Sequence, residues 1–186
     1  MLRFLELTLV FFAYAHPMAQ AREAPPANQE SEAQLVEIEL GHAVPAHRFG
    51  NVFLAGQPTA EDIPILKEKG IKTVINLRLA DEISWDQATA VEQAGMKYVH
   101  VPFRGEHQLT SKVFDKVLGV LRDTKSSSTL LHCATANRVG AIWYAHRVLN
   151  DQLDPVEAEL EARQVGLRSA EMLAKSKEYV EAQQSK

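Results

Sequence analysis

The chain has 186 residues, 46% hydrophobic and 24% charged, the make-up of one globular domain. Its 20 basic and 24 acidic residues leave a formal net charge of -4, with no long block of either sign. That balance excludes a broad nucleic-acid-binding surface, which needs a concentrated basic patch, so an anion has to be gripped by local groups.

The N-terminus has the pattern of a signal peptide over residues 1–21. Arg3 precedes the apolar run FLELTLVFFAYA (4–15), interrupted by Glu6, and Ala19-Gln20-Ala21 supplies small residues at the spacing of a cleavage site. The run is too short and too interrupted to leave a stable membrane span after cleavage, so the expected destination is secreted or periplasmic. Residues 22–34, rich in Pro, Glu, Gln and Ala, read as a flexible linker leading to a domain over 35–186.

Strand-like and helix-like segments then alternate. NVFLAG (51–56) is a short apolar strand. PTAEDIPILKEKG (58–70) is a helix with Thr59 as N-cap, Asp62 three residues on and Gly70 at its end; Pro64 lies too deep for the first turn, so the helix starts late or bends. IKTVINL (71–77) is a buried strand, SWDQATAVEQAG (84–95) a helix capped by Ser84, and MKYVHVPF (96–103) a further strand. In TSKVFDKVLGVLRD (110–123), Val113, Phe114, Val117, Leu118 and Leu121 share one helical face. STLLHC (128–133) is a strand, and VGAIWYAHRVLN (139–150) a helix in which Trp143 and Tyr144 are core and rim. A helix opens at Asp154-Pro155, its acidic residues forming a solvated face, and a polar one covers 169–184. This alternation implies βαβ crossovers and a largely parallel sheet, whose working loops lie at the carboxyl ends of the strands.

LLHCATANRVG (130–140) occupies such a place and holds the only cysteine. An unpaired thiol in an exported protein is either buried and inert or reactive. Here the small or polar residues Ala134, Thr135, Ala136 and Asn137 let the backbone curl, so that successive N–H groups at a helix N-terminus bind an anion. Arg138 adds a planar fork for two oxygens of a phosphate-like group. The same field favours thiolate over thiol at Cys133, making it a nucleophile. His132 orients the loop or fills the strand; His100 reads as a core histidine. No His, Asp or Glu cluster has metal-ligand spacing, and no cofactor is expected.

The His-Cys-to-Arg arrangement resembles the cysteine-dependent phosphatases of the protein tyrosine phosphatase type. It departs from them in having four residues, not five, between Cys133 and Arg138, and Val139 in place of a hydroxyl residue. AGQPTAEDIPILKEKGIKTVINLR, YVHVPF and HCATANRVGAIWYAHRVL together are similar to the phosphatase-like domain of the beta-lactamase-hydrolase-like family, DUF442, over about residues 47–170. The resemblance implies an α/β fold: a protein tyrosine phosphatase-like three-layer sandwich with a central, mostly parallel sheet flanked by helices. It implies Cys133 as nucleophile forming a phosphocysteine, Arg138 as oxyanion clamp, residues 134–137 as backbone amide donors, and a phosphorylated or other small oxyanion substrate. The general acid falls on FRGEHQ (103–108), with Glu106 as first candidate and His107 as second. Arg78, at the end of VINLR, could approach the same anion or be a solvated charge. The short loop also suits rhodanese-like sulfur transfer through a persulfide, and a catalytically inactive anion-binding module stays open as well.

Overall fold

The computed structural model describes residues 33–122 and 127–186. The expected signal segment and most of the linker lie outside the described residues. Six strands form one sheet: β1 (Val36–Glu37), β2 (Ala46–Phe49), β3 (Val52–Ala55), β4 (Thr73–Asn76), β5 (Lys97–His100) and β6 (Thr129–His132). Their spatial order is β1-β2-β3-β6-β4-β5. From β3 to β5 every pairing is parallel, whereas β1 and β2 join as antiparallel strands. Phe49 pairs with Val52 across the two-residue turn Gly50-Asn51, where Gly50 has φ +54°.

Helices cover both faces. α1 (Ile63–Glu68) and α2 (Gln87–Gln93) lie on one side; α3 (Ser111–Arg122), α4 (Asn137–Asn150), α5 (Pro155–Val165) and α6 (Ala170–Gln184) lie on the other. The period of two along each strand makes this division. Phe53, Val74 and Leu130 pack with Ile63, Leu66 and Val91, while their neighbours Leu54, Ile75 and Leu131 pack with Val139, Ile142 and Trp143. Side chains such as Trp143, Phe103 and Phe114 are fully buried, each contributing roughly 1.5–3 kcal/mol by leaving water. This is the expected three-layer sandwich. No helix among the described residues is long and apolar enough to cross a membrane.

Local chemistry explains where elements begin. A 3-10 turn at Ala60–Asp62 precedes α1, which starts late, so Pro64 falls within its first turn and costs no hydrogen bond. α2 is capped by Asp86, which accepts from the Thr89 amide at 3.1 Å, and not by Ser84. Ser169 caps α6 through the Met172 amide at 3.1 Å. The acidic face of α5 is only partly solvated: Glu161 accepts from Trp143 Nε1 at 3.1 Å and Arg147 Nε at 2.8 Å.

Candidate active site

β6 runs through the middle of the parallel part of the sheet, and Cys133 is the first residue beyond it. The Cys133 amide donates to Ala55 O at 3.3 Å, and the Leu77 amide donates to His132 O at 3.0 Å. The thiol-bearing residue is therefore fastened between the carboxyl ends of β3 and β4, and it is 1% exposed.

The chain then curls as the small residues allow. Ala134 O accepts from the Gln57 amide at 3.2 Å, tying the loop to the segment after β3. Ala136 takes the left-handed conformation, φ 60° and ψ 4°, and is the N-cap of α4. A non-glycine residue pays roughly 1–2 kcal/mol to sit there, a cost that surrounding packing has to offset. The first backbone bond of α4 runs from the Gly140 amide to Ala136 O at 2.9 Å. Among the described residues, the amides from Ala134 to Val139 have no protein acceptor, which leaves a run of free donors at a helix N-terminus.

Arg138 stands on the first turn of α4, 6% exposed. Its Nη1 donates to Phe103 O at 2.7 Å, Glu82 Oε2 at 2.9 Å and Leu77 O at 3.2 Å; Nη2 donates to Glu82 Oε1 at 3.0 Å. The remaining hydrogens, on Nε and Nη2, share one edge of the guanidinium, the edge that fits two oxygens of an anion. Burial opposes the charge on Arg138, but the Glu82 hydrogen bond and Cys133 outweigh it and raise its pKa. Glu82 also accepts from the Leu79 amide at 2.7 Å. Arg138 foremost holds the Glu82 carboxyl below its usual range, against burial.

Arg78 belongs to the same neighbourhood. Its Nη2 donates to Glu82 O, its amide donates to Asn76 Oδ1 at 2.8 Å, and its buried Nε has no partner among the described residues. Its O accepts from His100 Nε2 at 2.7 Å, so His100 is half-buried and satisfied through the backbone. His132 is fully buried, and burial above all pushes its pKa down to about 3, helped by Arg78, Arg138 and His100 against the Cys133 backbone. The imidazole is therefore neutral at physiological pH.

The structure thus gathers Cys133, Arg138, Arg78 and His132. Thr135 is exposed on the loop, whereas the Asn137 side chain turns away and accepts from the Arg168 amide at 2.7 Å and the Ser169 amide at 3.2 Å. Val139, where related loops carry a hydroxyl, is fully buried in the core. Glu106 pairs with His107 at 3.0 Å and lines a cavity of about 470 Å³ with Thr110, Lys175, Glu178 and Tyr179. None of the contacts described for Cys133 or Arg138 involves it. Sequence reasoning missed Glu82, Asn76, Gln87 and Gln57. Among the described residues, no three His, Cys, Asp or Glu side chains gather to hold a metal ion.

Residues 44–184 match the family described as a DSP-PTPase phosphatase fused to NAD+ kinase. No curated protein matches the chain. Among solved structures, P. aeruginosa TpbA, a Cys-to-Ser form in complex with pTyr, is similar at 18% identity and TM-score 0.63, over 81% of this chain and 90% of that one. A putative DUF442 phosphatase from Shewanella putrefaciens CN-32 is 20% identical with TM-score 0.60, over 72% and 88%. Kinase associated phosphatase, with its catalytic site cysteine replaced by serine, gives TM-score 0.66 at 14% identity, over 85% and 99%.

Proposed function

The chain belongs to the DSP-PTPase-type phosphatase family defined by that match, and on this premise we propose that it hydrolyses phosphate monoesters through a phosphocysteine on Cys133. The observation that carries the reading is the pairing of loop amides that are free among the described residues with an arginine anchored by Glu82 and turned to the cysteine. The cysteine sulfur attacks phosphorus and the alcohol oxygen departs. The amides of residues 134–138 and the Arg138 fork hold the equatorial oxygens as charge spreads over them. A water then attacks the phosphocysteine and releases inorganic phosphate. Glu82 keeps the guanidinium aligned, and Arg78 adds positive charge at the carboxyl end of β4.

The leaving oxygen needs a proton, for which Glu106 is the first candidate and His107 the second. That role requires the Gly105–Gln108 segment to meet the substrate across the loop. The signal-peptide pattern over residues 1–21 supports a secreted or periplasmic setting for this chemistry as part of the proposal. The test is aryl phosphate hydrolysis by the full chain and by Cys133→Ser, with thiosulfate and cyanide as the parallel assay. Phosphate release that vanishes in the variant supports the reading. Thiocyanate formation with a persulfide on Cys133 would replace it with sulfur transfer, and anion binding without either turnover would make the site a binding module.

A further inference from the structure

Behind Cys133, a chain of side chains crosses from β5 to the loop: half-buried Tyr98, then buried Asn76, Gln87 and His132. Its polarity is fixed from one end. The Arg78 amide can only donate, so the Asn76 atom it meets at 2.8 Å is the carbonyl Oδ1. Asn76 Nδ2 therefore faces the other way, donating to Tyr98 Oη at 2.7 Å and to Gln87 Oε1 at 3.0 Å. Gln87 must then present its –NH2 group to His132, and Nε2 meets Nε2 at 3.0 Å. An amide nitrogen accepts nothing, so the imidazole Nε2 is the acceptor and the neutral ring carries its proton on Nδ1. The opposite tautomer would set two N–H groups against each other in a buried site. Among the described residues, Nδ1 has no hydrogen-bond partner, and the Cys133 backbone acts on the ring.

We infer that Gln87, oriented by Asn76, is a positioning residue that fixes His132 as its Nδ1–H tautomer beside Cys133 and thereby sets the reactivity of that thiol. The inference rests on Cys133 as the nucleophile. The charged and titratable groups acting on His132 are Arg78 at the end of β4, His100 at the end of β5, and Arg138 on α4; Cys133 follows it in the chain. All are present in every variant below.

The test uses the full chain labelled with 15N at histidine. The wild-type His132 spectrum is expected to show a protonated Nδ1 and a bare Nε2. In Gln87→Glu the carboxylate accepts from both sides, so the proton moves to Nε2. The rate of Cys133 alkylation by iodoacetamide at neutral pH then falls about tenfold, the effect of raising the thiol pKa by about one unit when the Nδ1–H beside it is lost. Gln87→Met, similar in volume and without an amide, lets the tautomers mix and lowers the rate less. A wild-type ring protonated on Nε2 overturns the inference, as does an unchanged alkylation rate in both variants. The wild-type spectrum decides the tautomer even if Gln87→Glu does not fold. If tautomer and alkylation respond while aryl phosphate stays untouched by every form, the inference stands and the phosphatase reading falls.

Discussion

Replacing Glu82 by Gln keeps the shape of the side chain and removes the charge that faces Arg138. The native carboxylate accepts three hydrogen bonds: from the Leu79 amide and Nη1 at Oε2, and from Nη2 at Oε1. Glutamine can keep the two at one oxygen, but its –NH2 then confronts Nη2, so one charge-assisted bond is lost. Such a bond is worth about 1.5–3 kcal/mol. The Arg138 side chain is 8% exposed and Glu82 22%, so water replaces only a little of it. A loss of about 2 kcal/mol is expected at neutral pH, roughly 4–8 °C in Tm for a chain of this size. Arg138 keeps Leu77 O and Phe103 O, so it stays in place but tilts, and phosphate binding weakens about tenfold. The pH dependence identifies the cause. A carboxyl held below its usual range stabilises the fold above the unfolded-state pKa, and that stability is lost as pH falls through the folded value. Urea unfolding curves of the wild type and the variant are therefore separated above about pH 5 and converge in acid. A gap that persists unchanged into acid, or a variant as stable as the wild type with undiminished phosphate binding, would refute the reasoning.

Gly166 has φ +142°, and a Cβ there would stand 2.9 Å from Ala136 Cβ and 3.2 Å from Thr135 O. Gly166→Ala is expected to cost about 2–3 kcal/mol in urea unfolding and to distort the anion loop, read as weaker phosphate protection of Cys133 against alkylation. Asn137→Ala removes the acceptor of the Arg168 and Ser169 amides, so a stability loss of about 1–2 kcal/mol is expected, with hydrogen exchange accelerated at those two amides. Glu161→Gln disturbs the Arg147 and Trp143 contacts behind α4, lowering stability by about 1–2 kcal/mol while leaving the Cys133 alkylation rate unchanged.

The legible parts of the sequence were those with strong local signals. Buried strands such as TLLH, helices with a capped start such as Asp154-Pro155, and the Cys133-to-Arg138 loop between strand and helix all announce themselves over a few residues. β2 is hard to read because AHRF is short and half polar, although Gly50-Asn51 ahead of Val52 is a hairpin signal. Ser84 and Asp86 are both good caps, and only the position of the first free amide decides between them. Glu82 could not be found by periodicity: it lies on the three-residue 3-10 turn Ala80–Glu82, 56 positions from Arg138, and acquires its role only when β4 and β6 pair. Asn76 and Gln87 look like ordinary strand and helix residues until the sheet sets His132 beside Asn76 and Gln87 bridges the two. Position after a strand singles out Glu106, but that loop folds toward α6 in forming its cavity.

The central claim, covalent catalysis at Cys133, is tested most directly by quenching the protein with acid during turnover of an aryl phosphate and mapping the modified peptide by mass spectrometry. The account predicts one phosphoryl group on the peptide containing Cys133, absent in Cys133→Ser together with turnover. Hydrolysis that survives in Cys133→Ser, or a phosphoryl group carried on any other residue, would contradict it.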